Sequence, residues 1–172
     1  LLVWNLDDSQ QTDPIRPKQA ADWFNGKPTN SSVFFSSDSS GQNLVTSHPT
    51  SRDKILVWHR NNENEFIANE IGPFTKDGAT AMSGLDIFVQ PEISPDGLVI
   101  AAVLRLRNGY QVQLIRNTRS REAKKVALFD SPSRTSFRSI QFLNNDRIFL
   151  SRDRVERGVE REIGIVEYNR TP

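Results

Sequence analysis

Apolar residues along the chain come in short runs of three to six, often alternating with polar ones, and separated by Asp/Asn/Ser/Gly/Pro clusters. Three stretches share one layout of strand, tight turn, strand, polar loop and strand. They are Ser31–Arg60, Phe88–Asn117 and Ser136–Asn169. Their turns are Ser37-Asp38-Ser39-Ser40-Gly41, Pro95-Asp96-Gly97 and Asn144-Asn145-Asp146, residues that accept turn dihedrals or bond their own backbone. The flanking runs, such as Leu98–Val103 and Ile148–Leu150, are rich in β-branched and bulky apolar residues, which favours strands over helices. Glu65–Ala68 and Lys125–Phe129 each supply a candidate fourth strand.

Spacing makes these stretches a repeat. Setting Trp58, Ile115 and Val166 as equivalent third-strand positions gives steps of 57 and 51 residues; Phe35, Ile93 and Phe142 in the first strands give 58 and 49. Leu1-Leu2-Val3-Trp4 matches Leu56-Val57-Trp58 and stands 54 residues ahead of it. A period near fifty with four strands per unit predicts β-propeller blades. The expected fold is therefore all-β: a partial β-propeller of about three four-stranded antiparallel blades plus one extra strand. Residues 1–30 hold a strand of a preceding blade and a long irregular connection with one short helical candidate, Lys18–Phe24. Blades follow at 31–70 and 86–130, and an incomplete one at 136–170.

The first blade resembles the WD40 family. Phe35-Ser36, Asp38 with Gly41, Leu44-Val45-Thr46, Asp53-Lys54 and Ile55–Trp58 follow that repeat's order. The second is similar to the TolB-like propeller repeat, through Pro91-Glu92-Ile93-Ser94-Pro95-Asp96-Gly97 and the apolar strand behind it. The third keeps only the pattern. The WD40 His before the first strand has no counterpart near Asn30, and the terminal Trp becomes Ile115 and Val166, so the family's Asp–His–Ser–Trp network is not complete. Three blades do not close a ring. The remaining blades are expected from further sequence or another chain, and a start at Leu1 inside a strand fits a piece of a larger protein.

Composition narrows this picture little. The 172 residues carry a net charge of +1, with residues 1–80 at −3 and 81–172 at +4, too mild a gradient for a general nucleic-acid binder. No apolar run reaches transmembrane length, so no membrane partner is expected. The lack of Cys rules out disulfides and thiolate metal sites and leans toward a cytoplasmic protein.

Candidate chemistry centres on the loop with His48. Together with Ser47, Thr50, Ser51 and Asp53 it holds the ingredients of a catalytic triad, but no nucleophile elbow or oxyanion hole accompanies them. No catalytic residue, metal ligand or cofactor is assigned; Asp53 is expected to cap its turn, and His59 to be an exposed strand residue. The second-to-third-strand loops, Ser47–Lys54, Leu104–Tyr110 and Ser151–Arg161, all carry arginine. This predicts a cationic partner-binding rim of His48, Arg52, Arg105, Arg107, Arg152, Arg154 and Arg157, suited to carboxylate or phosphate. The expected role is a non-catalytic interaction or sensor module for a protein or peptide partner. The alternative is an accessory propeller gating a serine peptidase or hydrolase elsewhere in a longer chain. A phosphate- or nucleic-acid-binding face is a third option, recognisable by steep salt dependence.

Overall fold

The computed structural model describes residues 34–74, 88–106, 109–117, 125–131, 135–154 and 160–168. Among them every regular element is a strand, and no helix is long and apolar enough to cross a membrane. The leading strand at Leu1–Trp4, the segment Lys18–Phe24, Arg107 and Arg157 lie outside the described residues.

Three antiparallel meanders form the blades of a partial, unclosed β-propeller. The first is β1 (Phe35–Ser37), β2 (Asn43–Ser47), β3 (Ile55–Arg60) and β4 (Phe66–Ile71). The second is β5 (Phe88–Ile93), β6 (Val99–Leu106), β7 (Gly109–Arg116) and β8 (Lys125–Asp130). The third is β9 (Thr135–Phe142), β10 (Arg147–Arg154) and β11 (Glu160–Glu167), three strands rather than four among the described residues. The first strands β1, β5 and β9 neighbour one another from blade to blade, so they form the inner side of the stack.

Alternation along each strand assigns its two faces to two different seams. Val45, Ile55, Val57 and Ile71 of blade 1 meet Val89, Ile93, Ile100, Ala102, Leu104 and Ile115 of blade 2. The other face of blade 2, with Val99, Ala101, Val103, Tyr110, Val112 and Leu114, meets Phe137, Ile140, Phe142, Ile148 and Leu150 of blade 3. Strand β6 is thus apolar on both faces, which explains why its sequence runs Val-Ile-Ala-Ala-Val-Leu without a polar break. Burying such side chains contributes roughly 25 cal/mol per Å² of apolar surface, so each seam is a principal source of stability. Leu44, Leu56, Trp58, Phe66 and Ala68 are buried on the opposite face of blade 1, where the Trp58 indole N–H donates to Thr46 Oγ1 at 3.1 Å.

Three equivalent backbone bonds fix the repeat. Arg60 N–H donates to Gln42 O, Asn117 N–H to Leu98 O and Tyr168 N–H to Asp146 O, at 2.9, 2.9 and 3.1 Å. The register behind them pairs Trp58 with Leu44, Ile115 with Ile100, and Val166 with Ile148, so these third-strand positions are structurally equivalent. The first-strand alignment needs one correction. Phe142 pairs with Ile148 and Ile93 with Ile100, but the residue opposite Leu44 is Ser37, not Phe35. Matching Phe35 to its apolar counterparts slipped blade 1 by two residues, which keeps the same face and so left the apolar pattern intact. Phe35 is in fact 68% exposed.

On the end of the stack that carries the first-to-second-strand turns, the turns are stitched together. Ser39 N–H donates to Pro95 O at 2.8 Å, and Asp96 N–H donates to Asn145 Oδ1 at 3.1 Å. Asp38 organises the first turn by accepting from Gln42 N–H, the Ser40 hydroxyl and the Asn43 side-chain amide. Gly97 fits against that turn. Its φ is +72°, and a Cβ there would stand 2.6 Å from Asn43 Nδ2 and 2.7 Å from Asp38 Oδ2. Gly97→Ala is expected to destabilise the chain by about 2–3 kcal/mol, combining the positive-φ penalty with the contact. Urea unfolding of the variant checks this, and Gly41→Ala, where no atom lies within 4 Å, should lose less.

Candidate functional site

The opposite, loop-bearing end of the stack holds the sequence-derived candidates. The β2–β3 connection, residues 48–54, is the longest second-to-third-strand loop that is fully described. Backbone bonds pin it: Arg52 O accepts across the first seam from Val89 N–H at 2.9 Å, and Asp53 O accepts from Phe74 N–H, just beyond β4, at 2.7 Å. Gly72 is required beside it, because with φ +133° a Cβ would stand 2.8 Å from Asp53 O.

Within this loop the triad ingredients are kept apart. The Ser51 hydroxyl donates to Asp53 Oδ1, so both are used by one local turn, and Asp53 takes a hydroxyl rather than the backbone amides expected of it. His48 Nδ1 accepts from Thr50 N–H at 3.2 Å, which leaves the proton on Nε2, 3.0 Å from Glu70 Oε2. Lys54 Nζ lies 2.8 Å from the other oxygen of Glu70. Glu70 thus bridges His48 and Lys54, and in the described bonds the imidazole is engaged by a carboxylate and by Thr50 rather than by a serine hydroxyl. His48 is buried, so it offers a partner no surface, contrary to the expectation that it lines the rim. Burial lowers its pKa below the ordinary histidine value, outweighing the opposing pull of Glu70, with the Lys54 charge adding to the drop. His59, expected to be exposed, is half-buried and sits 2.7 Å through Nδ1 from Asn43 Oδ1.

The arginines divide. Arg52 is exposed at the crest of the loop, and no carboxylate among the described residues pairs with it. Arg105, Arg152 and Arg154 lie within strands β6 and β10, not in loops, because those strands run to Leu106 and Arg154 and leave short connections. Arg152 is half-buried and pairs in register with Phe137. Arg105 is half-buried in the seam between blades 2 and 3. Its guanidinium stands 5.0 Å over the Phe137 ring and its Nη2 donates to Gln90 Oε1 at 3.2 Å. Arg138, which the loop pattern passed over, sits at a β-bulge opposite Ser151–Arg152 and holds the buried Asp153 through Nε.

Two further polar features escape a strand-by-strand reading. Gln111 and Gln113 are buried on β7, where Gln113 Nε2 donates to Gln111 Oε1 at 2.6 Å and Gln111 Nε2 to Asp130 Oδ1 at 2.9 Å. Glu92, on the inner strand β5, is half-buried, and its burial pushes the carboxyl up to about 7 despite a hydrogen bond with Ser36. Among the described residues no three His, Asp or Glu converge in the manner of a metal site. No model of a known protein family matches the chain, and no curated protein is similar to it.

Two of the shifted groups, His48 and Glu92, have opposite effects on stability. His48 resists protonation when folded, so stability should fall as pH drops below about 6.5, where the unfolded chain takes up a proton that the folded chain refuses. His48→Gln is expected to flatten that limb in urea-unfolding measurements from about pH 5 to 7. Glu92 holds its proton when folded, so it favours the folded state at low pH. That contribution should fade from about 4.5 up to about 7. Glu92→Gln is expected to raise stability by about 1–2 kcal/mol above neutral pH, allowing for partial exposure to water, and to leave it little changed in acid.

Proposed function

We propose that this chain is a non-catalytic interaction or sensor module, a portion of a WD40- or TolB-like β-propeller that docks a protein or peptide on its loop-bearing end. One observation carries the reading. Arg52 and Arg105, both at that end, have no carboxylate partner among the described residues, whereas Lys54, Arg138 and Arg147 all do. The loop that raises Arg52 is pinned by backbone bonds to Val89 and Phe74, so the guanidinium stands on a prepared platform rather than a free tether. The internal pairing of Ser51 with Asp53, and of His48 with Glu70, uses the loop's reactive groups for that scaffold.

The test is amide NMR of the isotope-labelled chain titrated with a degenerate peptide pool. Shifts are expected at Arg52, its loop neighbours and Arg105, and not at the Asp38–Gln42 or Asn144–Asp146 turns. Arg52→Glu should weaken binding by about tenfold, ~1.4 kcal/mol. Shifts confined to the turn end, or none at all, would overturn the reading.

A further inference from the structure

We propose that the seam between blades 2 and 3 is a binding site for a carboxylate on a peptide ligand, with Arg105 as its anchor. The inference rests on the loop-end docking reading and specifies the chemistry recognised there.

Arg105 is held as a receptor would hold it. The Phe137 ring of blade 3 supports one face of the guanidinium, and Phe137 is itself fixed edge-on by Tyr110 of blade 2, with centroids 5.5 Å apart at 64°. The Gln90 carbonyl oxygen takes one Nη2 hydrogen and sets the rotation of the fork. Because stack and hydrogen bond come from different blades, the planar group is preorganised, and little rotamer freedom is left to lose on binding.

The charge balance of the seam is incomplete. Stacking and a neutral amide do not neutralise a cation, and among the described residues the buried Arg105 Nε has no hydrogen-bond partner. Desolvation and the nearby like charge of Arg138 both work against the Arg105 cation. A half-desolvated guanidinium in these surroundings is destabilising unless an anion joins it. The neighbouring arginine shows what satisfies such a group in this fold: Asp153 already takes Arg138.

Charge also selects the ligand. Among the described residues Arg138 is matched to Asp153, and the Arg105 fork presents parallel donors. A carboxylate is a monoanion with two coplanar acceptors and fits that fork. A phosphate dianion calls for a second free cation.

The full chain, labelled for observation of arginine Nε–Hε signals, is titrated with three probes: Ac-Gly-Glu-Gly-amide, its Gln counterpart and inorganic phosphate. The Glu peptide is expected to shift the Arg105 signal and to bind at least about tenfold more tightly than the Gln peptide. Arg105→Gln should abolish that difference, while Arg147→Gln, at the turn end and already paired with Glu167, should preserve it. If Arg105→Gln does not fold, the comparison of the two peptides on the unaltered chain still decides. Equal affinity for the two peptides overturns the carboxylate anchor, and loop-end amide shifts in that case leave the docking reading standing. Absence of loop-end shifts with either peptide overturns both. Phosphate binding more tightly than the Glu peptide overturns the choice of carboxylate.

Discussion

Everything in this chain depends on blade 2 being buried on both faces. A sheet that packs a blade on each side has no solvent face, so both parities of β6 and most of β7 are withdrawn from water. The consequence is a central sheet that supplies apolar surface to two seams at once, while its neighbours are finished by it. Blade 3 displays the condition of a sheet served on one side only. Its inward face holds Ile148 and Leu150, but Ile165 on the opposite face of β11 remains 62% exposed.

That constraint explains what the sequence discloses and what it conceals. The turns around Asp38, Pro95–Gly97 and Asn144–Asp146 were legible because turn chemistry is local: Asp38 and Ser94 bond groups within five residues of themselves. The third-strand equivalence of Trp58, Ile115 and Val166 was legible because all three turn toward the preceding face of their blades. The polar residues of the seams were not. Gln111 and Gln113 alternate with apolar residues as they do in a strand with one wet face, and only the neighbouring blade shows that this face is dry. Their mutual hydrogen bond and that to Asp130 are what make such burial tolerable.

The loop-end residues show the same division between composition and placement. Ser51, His48 and Asp53 have the identities of a triad, but Glu70, brought alongside by β4, claims the imidazole and leaves serine to aspartate. Nothing in residues 48–54 announces Glu70; its approach follows from the β3–β4 register that pairs Leu56 with Glu70. Arg105 was singled out by type and misplaced by element. Counting it as a loop residue missed the support from Phe137 and Gln90, both of which belong to other strands.

The two ends of the stack therefore perform different physical tasks. At the turn end, short connections with Asp, Asn and Gly reach across seams through backbone donors and acceptors, and Gly97 permits a contact that any side chain would obstruct. Such contacts lock blade to blade. At the loop end the backbone also crosses a seam, at Arg52, but there the side chains diverge in fate: Glu70 and Asp153 consume three partners, and among the described residues Arg52 and Arg105 have no carboxylate. Burial makes the second of these the more consequential. An exposed Arg52 is stabilised by water, whereas Arg105 has exchanged part of its hydration for an aromatic face and a neutral amide, an exchange that an incoming anion completes.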